Sequence, residues 1–309
     1  MGAATTFVAL LAAASAVAAQ APYFDGRFYK KTWNNNAKWD NQSLYGTWAR
    51  GAIPIAYNFS HYTELSPAYK NPWDKIDQQG VSITVDNSSY WLPFHPFFRR
   101  TEFIPLAPSV EAQNTSTDTW YYHASIKQDP KHTLEQKFEH QFFFHERDFD
   151  YRQNFGVRWG GDAKDKIQFY TEDPTIPKEI DDNQRRVRWE IKWDLKTWYN
   201  FVFGVNMKNK QITMYYSTNG NALKLAAYAT VPNLKGGQFH LGQLRFVNET
   251  LGQAKPEKLW FSGVKVEKNR LSSTFGFTGP AYPKPTTTTT TKKTTTTKGY
   301  QKPVFVKVA

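Results

Sequence analysis

Two stretches of the chain change side at every residue. In Val81-Ser82-Ile83-Thr84-Val85-Asp86 apolar and polar side chains alternate, and Trp120-Tyr121-Tyr122-His123-Ala124-Ser125-Ile126 puts Trp120, Tyr122, Ala124 and Ile126 on one face. A period of two is that of a β-strand. Further strands are expected over 138–146, 154–159, 187–193, 199–205, 211–217, 238–246 and 259–267, separated by turn signals at Asp86-Asn87, Asp129-Pro130, Gly160-Gly161, Asn219-Gly220 and Gly236-Gly237. No convincing helix, internal repeat or second core is visible. Many strands punctuated by turns predict one all-β domain, an antiparallel β-jelly roll or concanavalin-like β-sandwich. The polar region 162–186, with acids and bases mixed, is expected to form long loops over the sheet.

The chain contains no cysteine, so this fold must rest on its core alone. A domain of roughly 250 residues can bury enough surface for that. Aromatic residues make up 17% of the chain, which suits both a β-rich core and the stacking of sugar rings. The net charge is +12, but six lysines after residue 280 carry half of it, with no acid among them. What remains is no concentrated nucleic-acid footprint, and the chain is expected to bind no nucleic acid. It could still favour an acidic wall polysaccharide.

The two ends read differently from the middle. Residues 1–19 are apolar and rich in small residues, closing on Ala16-Val17-Ala18-Ala19, and are expected to be a secretory signal peptide. They are short for a membrane span, so the processed chain is expected to be secreted and off the membrane. Asn41, Asn58, Asn87, Asn114 and Asn248 each open an Asn-x-Ser/Thr sequon and are candidate surface glycan acceptors. Residues 286–297 are ten threonines and two lysines among flanking prolines, so 276–309 is expected to be an extended, disordered tail. This leaves 20–275 for the folded domain.

No glycine-rich phosphate loop, zinc cluster, calcium loop or nucleophile elbow appears, and neither a metal nor a cofactor is expected. What remains is carboxylates among aromatics. A glycosidase needs two of them, one acid and one base or nucleophile. Glu102 follows Arg99 and Arg100 within Phe97–Pro105, Glu139 and Glu146 share one strand, and Glu190 and Asp194 flank Trp193. Regular alternation places Glu139 and Glu146 on opposite faces. The Glu139 face, with Gln141, His145 and Arg147, is the more polar. Alternation alone therefore favours Glu139 as the groove residue.

The opening Tyr23-Phe24-Asp25-Gly26-Arg27-Phe28 begins an ordered series of short segments. They are Tyr69-Lys70-Asn71-Pro72, 79–86, Arg99-Arg100-Thr101-Glu102, Glu139-His140-Gln141 and Phe143-Phe144-His145-Glu146. Trp193 through Trp198-Tyr199-Asn200, Tyr216-Ser217-Thr218, Phe239-His240-Leu241-Gly242 and Phe261-Ser262-Gly263 complete it. Over roughly 23–268 this series resembles glycoside hydrolase family 131. The resemblance implies a secreted fungal β-glucanase with a β-jelly-roll fold, acting on β-1,3-, β-1,4- or mixed-linkage glucans. It implies an active site of Glu102, Glu146 and His240, and so ranks Glu146 above Glu139, with a strand end or bulge turning Glu146 into the groove. Arg99, Arg100, His145 and Gln141 are the expected substrate-binding residues, although Arg99 and Arg100 lie on opposite strand faces and one of the two is expected to reach the site.

Three features depart from the family pattern. His145 stands where an aromatic is usual, 162–186 is rich in charge, and the Thr-rich stalk is of a type that leads to a Cys-rich cellulose-binding module, for which this chain has no cysteine. These bear on substrate preference more than on reaction class. The expected enzyme is a monomer whose partner is a β-glucan or other cell-wall polysaccharide, with Trp33, Trp39, Trp48, Trp73, Trp91, Trp159 and Trp260 as candidate stacking platforms. The alternatives are a polysaccharide lyase using arginine and a His or Tyr base, and a non-catalytic glucan-binding protein.

Overall fold

In the computed structural model the described residues are 21–48, 58–90, 97–148, 150, 152–176, 184–247 and 255–272. The expected signal peptide, the Thr-rich tail, Trp91 and Asn248 lie outside them. The strands are β1 (Phe24–Asp25), β2 (Tyr45–Trp48), β3 (Thr63–Ser66), β4 (Gly80–Val85), β5 (Phe98–Pro105), β6 (Thr119–Gln128), β7 (His140–Arg147) and β8 (Gln153–Trp159). They continue with β9 (Lys166–Glu172), β10 (Arg185–Lys192), β11 (Tyr199–Asn206), β12 (Gln211–Thr218), β13 (Lys224–Thr230), β14 (Gly237–Phe246) and β15 (Glu257–Lys268). The one α-helix among the described residues, Val110–Thr115, is a single short turn capped by the Ser109 hydroxyl.

The strands form two antiparallel sheets. One runs β13-β12-β11-β6-β15-β4-β3, with β1 added beside β15; the other runs β10-β9-β8-β7-β14-β5-β2. Neighbours such as β7, β14 and β5 are far apart in sequence, which is the jelly-roll arrangement. The alternating stretches of the sequence explain the layering. Phe103, Phe143, Phe155, Phe239, Phe201, Phe203 and Phe261 point from both sheets into one aromatic core. Phe143 lies 5.6 Å from Phe201 and 5.9 Å from Phe261, ring to ring, across the gap. Each such ring contributes roughly 1.5–3 kcal/mol by leaving water, which is how the fold does without disulfides.

Residues 162–186 are not simply loops. They hold β9 and the start of β10, because Ile167 and Phe169 alternate into the core while the charge-rich stretch around them hides the pattern. The edge strand β13 also escaped the sequence pattern, its Lys-Leu-Ala-Ala-Tyr-Ala-Thr run having few large apolar residues. No helix among the described residues is long and apolar enough to cross a membrane. Asn41, Asn58, Asn87 and Asn114 are all exposed.

Candidate active site

Three adjacent strands build the candidate site on the outer face of the seven-stranded sheet. On β5, Phe103 enters the core and the Thr101 hydroxyl donates to the Thr84 carbonyl of the facing sheet at 2.7 Å. Alternation therefore turns Arg100 and Glu102 outward. On β14, Phe239 and Leu241 are core residues, so His240 points outward too. The register sets Glu102 opposite Gly242, and His240 opposite Phe144 of β7. The Phe144 and His240 rings stack at 4.4 Å and 13°.

A bulge decides the second carboxylate. The register of β7 shifts between Gln141 and Phe143, so Phe142 is an extra residue and the count in twos is broken there. Gln141 donates to Glu139 at 3.0 Å and accepts from Gln153 at 2.7 Å, a group on the outer face. Beyond the bulge, Phe144 and Glu146 share that face. Glu139 and Glu146, predicted to oppose each other, therefore lie on the same side of the sheet.

The two glutamates sit in different electrostatic settings. Glu102 is fully buried, and its Oε2 accepts from an Arg100 guanidinium nitrogen and from His240 Nδ1, the latter at 2.8 Å. Its Oε1 is buried with no hydrogen-bond partner. Burial pushes the Glu102 carboxyl up, but the Arg100 charge and the His240 hydrogen bond outweigh it and hold the group below the usual range. Glu146 is half-buried, and its carboxyl is pushed up to about 7, first by burial and then by the Glu102 charge, against the pull of Arg100. Burial lowers His240 despite Glu102, so the ring is neutral near neutrality. A carboxylate only accepts, so Nδ1 carries the proton and Nε2 is the basic nitrogen.

The model of the "Glycoside hydrolase 131 catalytic N-terminal domain" matches residues 23–272. The chain belongs to glycoside hydrolase family 131. It is a glycoside hydrolase. A β-glucanase catalytic domain of this family from Podospora anserina is similar over 83% of this chain and 100% of its own, at TM-score 0.67 and 24% identity. A family 131 catalytic domain from Coprinopsis cinerea is similar over 84% and 99%, at TM-score 0.64 and 26% identity. The alginate lyase AlgAT5 of polysaccharide lyase family 7 shares the fold at TM-score 0.51 and 12% identity, covering 76% of this chain and 98% of its own. No curated protein matches the chain.

The other residues singled out in this family 131 hydrolase divide sharply by face. Arg99 does not join Arg100; its guanidinium donates to the Asn87 carbonyl at 2.9 Å and the Tyr90 hydroxyl at 2.6 Å. His145 is corrected as a substrate contact. It is fully buried between the sheets, bonded to Gln113 at 3.0 Å and Asn154 at 2.8 Å and stacked on Phe155. One position's parity separates it from Glu146. Gln141 lies on the site's face but is buried within the Glu139 and Gln153 hydrogen bonds. Glu139 is bound by Arg158 at 3.0 Å and Arg185 at 2.7 Å. Burial opposes ionisation there, but the two guanidinium charges hold its carboxyl below the usual range.

Among the tryptophans, Trp33, Trp39 and Trp159 belong to the core. Trp260 is on β15 of the other sheet, its indole N–H donating to Asp129 at 3.2 Å, and Trp73 packs on Gly220 at the turn after β12. Two residues at the site stand in the family-like segments without a role assigned to them there. Phe144 was hidden in a run of three phenylalanines. Gly242, at φ +153°, leaves no room for a Cβ beside the Thr101 carbonyl and Glu102. Among the described residues no group of three or more His, Cys, Asp or Glu is placed to hold a metal ion.

Proposed function

We propose that this enzyme hydrolyses β-glucan, with Glu146 as general acid and Glu102 as general base. The observation that carries the reading is the split between two carboxyls on one face. Glu102 is held ionised by Arg100 and His240 yet keeps Oε1 without a donor. Glu146 is pushed up to about 7 and is protonated below that pH. Such a split gives two like groups two roles. Glu146 donates its proton to the leaving glycosidic oxygen, and Glu102 Oε1 accepts a proton from the attacking water. His240 fixes the Glu102 carboxylate through Nδ1–H, and Phe144 fixes the imidazole plane by stacking.

The register of the sheet supports one stereochemical outcome. Glu102 faces Gly242 and Glu146 faces Gln238, so the two glutamates are four positions apart along β14 and two strands apart across it. At about 3.4 Å per residue and 4.8 Å per strand, their Cα atoms are roughly 16 Å apart. Two side chains leaning together from that separation leave room for a water, which supports inversion at the anomeric carbon. The enzyme is secreted after cleavage near Ala19, acts as a monomer, and carries glycans on its exposed sequons.

The test is to incubate the secreted protein and its Glu102→Gln and Glu146→Gln variants with β-1,3- and β-1,4-glucans, following reducing ends. Loss of activity in both variants is expected, while the unmodified enzyme releases the α-anomer first from a β-linked substrate. Equal activity in all three proteins overturns the assignment, and unsaturated, ultraviolet-absorbing ends would replace hydrolysis by lysis.

A further inference from the structure

The Glu102 face does not end at the catalytic residues. Along β5 the outward positions run Glu102, Arg100, Phe98, and along β14 they run His240, Gly242, Leu244, Phe246. Phe98 and Phe246 are directly opposite each other in the register. Phe246 is 37% exposed and Phe98 half-buried, at a place where alternation offers no core to fill. The Arg100 guanidinium lies 5.7 Å from the Phe98 ring, which makes the aromatic pair continuous with the Glu102 ion pair. On the other flank, the Phe246 N–H donates to the Glu139 carbonyl at 2.9 Å. The Glu139 carboxylate there is fixed by Arg158 and Arg185.

An aromatic pair with one exposed and one half-buried ring, edged by rigid, oriented charged groups, is the equipment for one sugar ring: apolar faces against carbon, fixed donors and acceptors against hydroxyls. We infer that Phe98, Phe246 and the Glu139–Arg185 pair form a subsite for a glucosyl unit remote from the scissile bond. This rests on the glucanase reading for the identity of the occupant, and its continuity with the catalytic face argues for the same polysaccharide chain. Phe98 is four residues from Glu102, roughly 13 Å along the strand. That is longer than one pyranose ring, so only a chain of several units reaches both places. Glu139 thus acts as a binding residue, held ionised, and not as the acid that strand alternation suggested. Binding energy gained at this distance orients longer substrates.

The experiment is calorimetry of β-1,3- and β-1,4-linked glucan disaccharides and hexasaccharides with the Glu102→Gln protein, in which hydrolysis is blocked. Adding Phe246→Ala is expected to lower the ratio of hexasaccharide to disaccharide affinity about three- to tenfold. Adding Phe246→Trp should restore it, and adding Phe97→Ala, which lies outside the strand, should leave it unchanged. Glu139→Gln should lower the same ratio. An unchanged ratio in Phe246→Ala overturns the subsite. So does a dimer that Phe246→Ala converts to monomer with no change in affinity, which would give the patch to a second copy. Absence of glucan hydrolysis by the unmodified enzyme would overturn the catalytic reading instead, and the calorimetry would still decide the subsite.

Discussion

The molecule buries carboxylates on the outer faces of both sheets, and the two places treat them oppositely. On the eight-stranded sheet, Asp77 Oδ1 accepts from the Phe28 N–H at 2.8 Å. Its Oδ2 accepts from the Ser262 hydroxyl at 2.9 Å and the Gly263 N–H at 2.7 Å. Beside it Asn71 donates to Asn200 at 2.9 Å, and Asn200 also bonds Ser125 at 2.9 Å and Ser217 at 3.0 Å. These bonds tie the segment before β4 down across the sheet, and every oxygen of Asp77 is used. On the seven-stranded sheet Glu102 has one oxygen doubly held and the other without a donor. A buried oxygen without a partner is costly, so it persists where a substrate or water completes it. Segments that share a family pattern therefore serve two ends: Asn71, Asn200, Ser262 and Gly263 hold the scaffold, while Arg100, Glu102, Glu146 and His240 are the residues to which we assign the proposed chemistry.

The largest effects should separate these two places. Glu102→Gln is expected to lower kcat on β-glucan by on the order of 10²–10⁴-fold. Asp77→Asn should leave kcat nearly intact but destabilise the fold by about 1–3 kcal/mol in urea unfolding, since with its oxygen kept toward Ser262 and Gly263 the amide nitrogen would face the Phe28 N–H, donor against donor. If Asp77→Asn abolishes activity at full stability, the contrast is wrong. Gly242→Ala is expected next, with kcat lowered by up to about 10²-fold because a Cβ at this φ displaces Glu102. A crystal structure of that variant with Glu102 unmoved would break this link.

The pH dependence sharpens the comparison. Glu146 and Asp77 are each raised to about 7 in the folded protein, by burial first and then by Glu102 and Asp74 respectively. Both bind a proton more tightly folded than unfolded, so the stability they add is full below the unfolded carboxyl range and is lost as pH rises through about 7. Activity should follow Glu146 alone, being held below about pH 7 and falling above it. Glu146→Gln should flatten the upper part of the stability profile and remove the alkaline limb from any residual activity. Asp77→Asn should flatten stability and keep the limb. The smallest effect belongs to Arg99→Gln, expected within about twofold in kcat/KM because this guanidinium is bound to Asn87 and Tyr90, away from Glu102.

Strand periodicity, turn residues and the absence of cysteine were enough to establish an antiparallel sandwich, because alternation encodes burial directly. They could not reveal β9, whose inward Ile167 and Phe169 alternate with Lys166 and Gln168 inside a charge-rich stretch, nor β13 at the sheet's edge. At the site, the Arg100–Glu102 spacing of two already put both groups on one strand face. Whether Glu146 joined them depended on one inserted residue, Phe142, which no count in twos contains. That bulge, and the register that lays His240 beside Glu102, exist only once β5, β7 and β14 pair. Side-chain type and local period are properties of the sequence, whereas which distant strands become neighbours, and on which face their carboxyls then fall, is set by packing two sheets around one aromatic core.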